Sequence, residues 1–185
     1  MKKSKPVFNP ISCDKCFMRN SSISIAPNSP CKAGGNFLLL ILIKSRVSEL
    51  DYRSAFRRTW LRWSTNNTST LVRYIFLIGQ SRNNTINTLV QQEANVYHDI
   101  LQGSFIDGYD NLTYKVMMGV DFASYSCVNA PSCVNTSSCV STLRYVMISD
   151  GDVFVHIPNL VDFIKRHPSN NSIQGHCYHG SVPRR

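Results

Sequence analysis

Two carboxylates stand one residue apart at the end of an apolar run. Asp150 and Asp152 flank Gly151 in the stretch ISDGDVFV, and the residues before them, 143–149, are typical of a buried strand in a parallel sheet. Because an unpaired carboxylate in an apolar interior is costly, this pair needs either solvent or a cation. Ligands of open α/β sheets bind at the carboxyl ends of the strands, so the pattern is compatible with a divalent metal held by hard oxygen ligands.

The same three residues are also ordinary turn sequence. Glycine adopts positive φ and aspartate caps its own backbone, so spacing alone favours a turn over a metal site. A calcium loop of the EF-hand type is excluded, because Phe154 and Val161 stand where that loop needs oxygen ligands. The choice between a turn and a metal site therefore depends on the rest of the chain.

Alternating strands and helices must position these carboxylates. Residues 37–43 form the longest apolar run, FLLLILI, which suits a central strand. The predicted elements, in chain order, are strand 37–43, helix 51–63, strand 71–79, helix 84–101, a helix capped by Asp110 or Asn111 with the apolar face Leu112, Val116, Val120 and Ala123, strand 143–149, and a helix that begins at Pro158. This order predicts an α/β fold in which helices cover a parallel sheet.

Two segments interrupt this alternation. Residues 1–35 are rich in Ser, Asn, Pro and Lys and show no period, which predicts a loose arm before one folded unit over residues 36–185. Residues 126–143 contain three hexapeptides that each begin Ser-Cys-Val. Three copies are too few for a β-helix, so we interpret them as a duplicated loop inserted into the folded unit.

The chain is basic, with 20 Lys and Arg against 11 Asp and Glu. Such an excess raises the question of an anionic partner such as nucleic acid, phosphate groups or an acidic membrane surface. Part of the excess lies in the end segments MKKSK and VPRR, and no basic run between them is interleaved with aromatic residues, so nucleic acid is not expected. The longest apolar run is too short to span a bilayer, and the N-terminal segment lacks the apolar stretch of a signal peptide.

Sequons and cysteines nevertheless point to the secretory route. Sequons without proline stand at Asn20, Asn135 and Asn170 and at the preferred glycosylation candidates Asn66, Asn67, Asn83 and Asn111. The 7 cysteines, at positions 13, 16, 31, 127, 133, 139 and 177, suit an oxidising compartment. Cys13 and Cys16 could form half of a zinc site, but no second half-site follows them.

Five stretches, taken in order, carry a resemblance to a known family. They are FLLLILIKS, RSAFRRTW, FLIG, EANVYHDILQGSFIDGYDNLTYK and YVMISDGDVFV. Over residues 31–184 the chain resembles the β-1,3-galactosyltransferases, a family that also includes β-1,3-N-acetylglucosaminyltransferases (glycosyltransferase family 31). The resemblance implies a GT-A, Rossmann-like nucleotide-sugar-binding fold, incomplete at the C-terminus. The corresponding family strand ends in D-D-D-V-F-V, and Asp150 and Asp152 match its outer acids, so the resemblance favours the metal site over a plain turn.

The resemblance also implies an activity. It is that of a metal-dependent inverting hexosyltransferase, which transfers galactose or N-acetylglucosamine from a UDP-sugar to a glycan acceptor on a glycoprotein or glycolipid in β-1,3 linkage. Such enzymes are held on the lumenal side of the Golgi membrane by a membrane anchor, and no such anchor is expected within these 185 residues. Mn²⁺ or Mg²⁺ is the expected cofactor, with Asp152 as a direct ligand and Asp150 as a ligand of the metal or of the donor. Arg53, Arg57 and Lys115 match family positions where a cation could hold donor phosphates; the alternative for these three is an ordinary ion pair or a solvated helix face.

The chain departs from the family pattern at several positions. Phe122 replaces the usual Trp, Gly151 replaces the middle acid, and VPRR matches the point where the family's second half begins. The resemblance places the catalytic carboxylate base and much of the acceptor site in that second half. Two alternatives therefore stay open: a non-catalytic remnant that binds a UDP-sugar and metal, and a basic, cysteine-rich module that binds zinc or a polyanion. Restoring the family acid by Gly151→Asp is expected to have only a mild effect on UDP binding, because neither proposed ligand changes.

A Rossmann-like order also suggests a disulfide. It makes the strands at 37–43 and 143–149 central, parallel neighbours, so that their N-terminal ends lie on one side of the sheet. Cys31 precedes the first strand, and three cysteines from Cys127 to Cys139 precede the second. We favour a bridge between Cys31 and Cys127, which keeps the family's distance from position 122, over a bridge to Cys139 or a reduced loop without fixed pairing.

Overall fold

Strands and helices alternate along the chain. The computed structural model describes residues 22–27, 38–66, 72–128, 143–168 and 172–175. In chain order the elements are β1 (Ile23–Ile25), β2 (Leu39–Lys44), α1 (Leu50–Arg58), α2 (Arg62–Asn66), β3 (Val72–Gln80), α3 (Asn84–Tyr97), β4 (Ile100–Ile106), α4 (Leu112–Ala123), β5 (Tyr145–Asp150) and α5 (Ile157–Arg166). A 3-10 turn, Tyr109–Asn111, precedes α4, and a π-helical turn, Ser124–Val128, follows it. The range predicted as one helix, 51–63, divides between α1 and α2. Within the described ranges, no helix combines the length and apolar character that a membrane crossing needs.

The strands form one sheet in the order β1-β4-β3-β2-β5. β2 runs parallel to β3 and β5, and β3 runs parallel to β4, whereas β1 is antiparallel to β4. The carboxyl ends of β2, β3, β4 and β5 therefore lie along one edge. This arrangement confirms the predicted α/β, Rossmann-like fold, and it confirms that the strands predicted at 37–43 and 143–149, here β2 and β5, are parallel neighbours.

β2 is deeply buried because helices cover both faces of the sheet at this strand. Ile41 and Ile43 pack into a core with α3 and α5, and Leu40 and Leu42 pack into a second core with Met118 of α4. The sequence of β2 is therefore continuously apolar instead of alternating. Each such side chain contributes about 1.5–3 kcal/mol through burial.

Two strands were not predicted from the sequence. The sequence predicted a helix as far as Leu101, but α3 ends at Tyr97 and β4 begins at Ile100. His98 caps the end of α3 in the left-handed conformation, with φ 53°. Glycine is the usual residue at such a helix end, so His98 gave no clear stop signal. β1 lies in the range predicted as a loose arm, and its pairing with β4 shows that this prediction is wrong for Ile23–Ile25.

The buried face of α4 differs from the predicted one. Val120, which was assigned to the apolar face, is exposed, whereas Lys115 and Met118 face the interior. Lys115 is turned inward by an ion pair with Asp107. A pattern that counts only apolar residues cannot show this orientation.

β5 lies at the edge of the described sheet. The sequence predicted a central strand covered on both faces, but Val146 and Ile148 are 45% and 44% exposed. Both face the α4 side of the sheet, as do their register partners Leu40 and Leu42 in β2. The prediction is therefore wrong for one face of β5.

Candidate functional site

Charged residues meet where the four parallel strands end. Lys44 is the last residue of β2 and Asp150 the last of β5, while Ser45 and Asp107 directly follow β2 and β4. Asp152 belongs to the turn after β5. Ligands of open parallel sheets bind outside this edge, so it is the candidate site, and it contains both carboxylates that the sequence singled out.

Asp150 forms an ion pair with Lys44. The two are register partners in β5 and β2, so their side chains leave the sheet on the same face. Nζ of Lys44 lies 2.6 Å from Oδ1 of Asp150, and the two side chains are 19% and 59% exposed, respectively. The carboxylate therefore has a cation beside it and still faces solvent.

Asp152 is exposed in a turn that it forms with Gly151. The Asp-Gly-Asp sequence is thus a turn, as spacing suggested, and its carboxylates are also accessible. In the part of the chain that the structure describes, no group of three or more His, Cys, Asp and Glu could hold a metal ion. Mg²⁺ commonly binds one or two carboxylates together with water and substrate phosphates. Two accessible carboxylates therefore fit Mg²⁺ or Mn²⁺ when a bound diphosphate supplies further oxygen ligands.

Buried charged side chains hold the loop after β2, residues 45–47. Lys115 of α4 donates to the carbonyl oxygen of Ser45 at 2.7 Å and pairs with Asp107 at 2.8 Å. Asp107 in turn accepts hydrogen bonds from the backbone N–H groups of Val47, at 3.1 Å, and Gly79, at 2.9 Å. These contacts tie the loop to β3, β4 and α4 and fix its backbone at the candidate site.

Arg53 of α1 also forms hydrogen bonds with the loop of residues 45–47. Its guanidinium donates to the Arg46 carbonyl oxygen at 2.7 Å and to Oγ of Ser45 at 3.1 Å. It also forms a two-pronged ion pair with Glu93 of α3, with a shortest distance of 2.6 Å. The Arg53 side chain is 0% exposed, so its charge is balanced inside the protein.

Arg57 shares Glu93 with Arg53. Its guanidinium lies 2.7 Å from Glu93 and 2.7 Å from Asp99, and its central carbon lies 3.9 Å from the centroid of the Tyr97 ring. Burial by itself lowers the pKa of Arg57, but the hydrogen bonds and charges of Asp99 and Glu93 outweigh burial and raise it. Both arginines therefore lie on one helix face, as their spacing predicted.

These contacts bear on the donor-binding assignments. The contacts agree with the alternative of ordinary ion pairs, since Arg53, Arg57 and Lys115 each pair with a carboxylate. A direct phosphate contact would have to compete with a buried carboxylate for each of these cations. Donor binding by these side chains stays a prediction, and the structure instead gives Arg53 and Lys115 a role in supporting the loop.

The disulfide candidates are only partly described. Cys31 lies outside the described residues, as do Cys13 and Cys16 of the half zinc site. Cys127 lies in the π-helical turn after α4. The Cys31–Cys127 bridge stays a prediction.

The glycosylation candidates differ in their local contacts. Asn67 lies outside the described residues, and Asn66 is the last residue of α2. Asn83 is exposed and caps α3, accepting a hydrogen bond from the backbone of Thr85. Nδ2 of Asn111, the atom that a glycan would modify, donates to the Ile106 carbonyl oxygen at 2.7 Å. Glycosylation stays a prediction at all four.

Comparison with known families is decisive for the chain as a whole. A family model described as Galactosyltransferase matches residues 51–185, which is most of the chain. The chain belongs to this galactosyltransferase family. The resemblance drawn from the five sequence stretches is thereby confirmed.

Curated relatives of this galactosyltransferase-family chain are longer than the chain itself. Beta-1,3-galactosyltransferase 1 of Homo sapiens and of Mus musculus is 35% identical to it over 136 residues, which is 72% of this chain and 37% of the relative. Lactosylceramide 1,3-N-acetyl-beta-D-glucosaminyltransferase A of Danio rerio is 26% identical over 187 residues, which is 89% of this chain and 46% of the relative. The chain spans less than half the length of these relatives.

The stretches that carried the family resemblance contribute opposite charges to one network. RSAFRRTW supplies Arg53 and Arg57, and EANVYHDILQGSFIDGYDNLTYK supplies Glu93 and Asp99. In this galactosyltransferase-family fold, the network joins α1 to α3 and to the start of β4.

Lys44 and Asp107 are candidate-site residues that sequence reasoning missed. Lys44 ends the apolar run of β2, and a charge in that position could have signalled the edge of the sheet. The pairing of Lys44 with Asp150 could not be predicted, because the register between β2 and β5 is not local in sequence. Asp107 stands eight residues before Lys115, outside the spacings at which helical neighbours meet.

Proposed function

We propose that the complete protein transfers galactose or N-acetylglucosamine from a UDP-sugar to a glycan acceptor in β-1,3 linkage, and that the described residues bind the donor. The observation that carries the proposal is the pair of accessible carboxylates, Asp150 and Asp152, at the carboxyl edge of a parallel sheet in a galactosyltransferase-family chain. The names of the relatives include both sugars, and the proposal covers both.

Asp152 and Asp150 would hold Mn²⁺ or Mg²⁺ together with oxygens of the donor diphosphate. When bound, such an ion acts as a Lewis acid that neutralises negative charge on the departing UDP. The protein contributes an ordered surface beside the ion, because Arg53, Asp107 and Lys115 form hydrogen bonds with the backbone of residues 45–47. A loop that is already ordered loses little entropy when a ligand binds.

The rest of the reaction belongs to the proposal for the complete protein. We assign it an inverting displacement, in which a carboxylate base removes the proton of the acceptor hydroxyl. We also place the complete protein in the Golgi membrane, with its catalytic part on the lumenal side, where glycan acceptors are available.

The proposal is tested by the affinity of the 185-residue chain for UDP. Calorimetry with Mn²⁺ present is expected to show binding, and the same titration in EDTA is expected to show none. Asp152→Asn should weaken UDP binding at least about tenfold, because it removes one hard anionic ligand. Asp162→Asn is the matched control, since Asp162 is an exposed residue of α5.

Two results would contradict the proposal in different ways. Equal UDP affinity in Mn²⁺ and in EDTA would remove the metal assignment but keep the nucleotide site. Absence of UDP binding under both conditions would remove the donor-binding function itself.

A further inference from the structure

Lys44 combines a covered position with an accessible partner. It is register-paired with Asp150, its Nζ lies 2.6 Å from the carboxylate, and its side chain is 19% exposed. The face of β5 that carries Asp150 also carries Val146 and Ile148, both almost half exposed. The ion pair therefore borders an open part of the sheet where a ligand can approach.

The other buried charges at this edge already have partners inside the protein. Lys115 is bound by Asp107 and by the Ser45 carbonyl oxygen, and both side chains of that ion pair are almost fully buried. The Lys44–Asp150 pair differs because its carboxylate is more than half exposed and is a proposed metal ligand. A cation that takes Asp150 would deprive Lys44 of this carboxylate.

We propose that Lys44 has two successive partners, Asp150 in the ligand-free protein and the diphosphate of the donor in the loaded protein. The inference rests on the proposed function and adds a residue to it. Without ligand, the ammonium balances the charge of Asp150 and competes with a divalent ion for it. With ligand, the ammonium would lie beside a second cation, and the diphosphate is the anion that can compensate both.

This exchange couples the two ligands. UDP draws Lys44 away from Asp150 and so strengthens binding of the divalent ion, and by reciprocity the ion strengthens binding of UDP. Removing the ammonium should therefore change the two affinities in opposite directions. A lysine that serves only the stability of the fold would not produce opposite changes.

The test compares wild-type protein with Lys44→Met, which keeps the length of the side chain and removes its charge. Mn²⁺ alone, measured by calorimetry, should bind the variant about two- to fivefold more tightly, as expected for loss of a partly exposed ion pair. UDP in saturating Mn²⁺ should bind about tenfold more weakly, as expected for loss of a charge-assisted hydrogen bond. Uridine has no phosphate, and its affinity should not change.

Two further variants separate the role of Lys44 from general effects. Lys44→Arg keeps the charge and should bind UDP within about threefold of wild type. Lys165→Met, in the last turn of α5, removes a lysine charge away from the site and should alter neither affinity. Unchanged uridine binding in Lys44→Met would show that the variant is folded.

The inference is overturned if Lys44→Met leaves UDP affinity within about twofold of wild type, or if it weakens Mn²⁺ binding. A wild-type chain that binds no UDP would overturn the proposed function and this inference together. Wild-type binding that Lys44→Met does not change would overturn the inference alone.

Discussion

Gly151 lies so close to Lys44 that a Cβ atom at position 151 would be 2.7 Å from the Lys44 carbonyl oxygen. This oxygen belongs to the backbone of β2 and cannot turn away as a side chain can. Gly151 does not have the positive φ that would by itself demand glycine. The close approach of β5 to β2 therefore accounts for glycine between the two aspartates, and it predicts that Gly151→Asp costs stability. A mild effect of Gly151→Asp on UDP binding stays a prediction.

Gly151→Ala and Gly151→Asp should both lower the free energy of unfolding, by about 1–3 kcal/mol, because the added atoms must push the two backbones apart. Urea denaturation measures the loss. Gly108→Ala is the matched control, since a Cβ at this exposed glycine meets nothing within 4 Å. If Gly151→Ala is as stable as the wild-type protein, then the end of β5 has room for a side chain and steric exclusion is wrong.

Glu93→Gln should lower the free energy of unfolding by about 3–5 kcal/mol, because Glu93 balances both Arg53 and Arg57 in the interior. Glutamine keeps the size of the side chain and removes only its charge. Urea denaturation at neutral pH measures the change. Asp162→Asn breaks the exposed pair with Arg166 and should cost at most about 0.5 kcal/mol. Equal losses in the two variants would mean that burial does not strengthen the Glu93 network.

Ionisation of Tyr74 should lower the free energy of unfolding as the pH rises above about 10. Burial, and then the negative charge of Asp99, raises the pKa of Tyr74 from 10.0 to about 12. The folded state therefore binds this proton more tightly than the unfolded chain does. The resulting stability is fully present below the unfolded pKa and is lost as the pH rises through the folded pKa, an effect of about 3 kcal/mol.

Tyr74→Phe removes this titration, so the free energy of unfolding should fall less steeply between about pH 9 and about pH 12 than in the wild-type protein. Chemical denaturation over this pH range measures the slope. Tyr109→Phe changes a solvent-exposed tyrosine and should keep the wild-type slope. A Tyr74→Phe profile that runs parallel to the wild-type profile would argue against a raised pKa.

Features with a local signal were predictable from the sequence. The continuous apolar run of β2 indicated a central strand, and the structure confirms a buried strand between β3 and β5. The spacing of Arg53 and Arg57 placed them on one helix face, where both contact Glu93. The position of Asp150 after an apolar run placed it at the carboxyl end of a strand. Each of these features depends on residues a few positions apart.

Features that depend on distant parts of the chain needed the tertiary structure. The helical pattern of α3 continued into the first residues of β4, so the sequence did not predict this strand. Its pairing with β3 shows that these residues form a strand. The inward orientation of Lys115 depends on Asp107 and on the Ser45 carbonyl oxygen across the fold. The partner of Asp150 depends on the register of β5 against β2, which places Lys44 beside it. The sequence determined which residues carry charge and which are apolar; the tertiary structure decided which charges meet, because ion pairs and strand register join residues far apart in the chain.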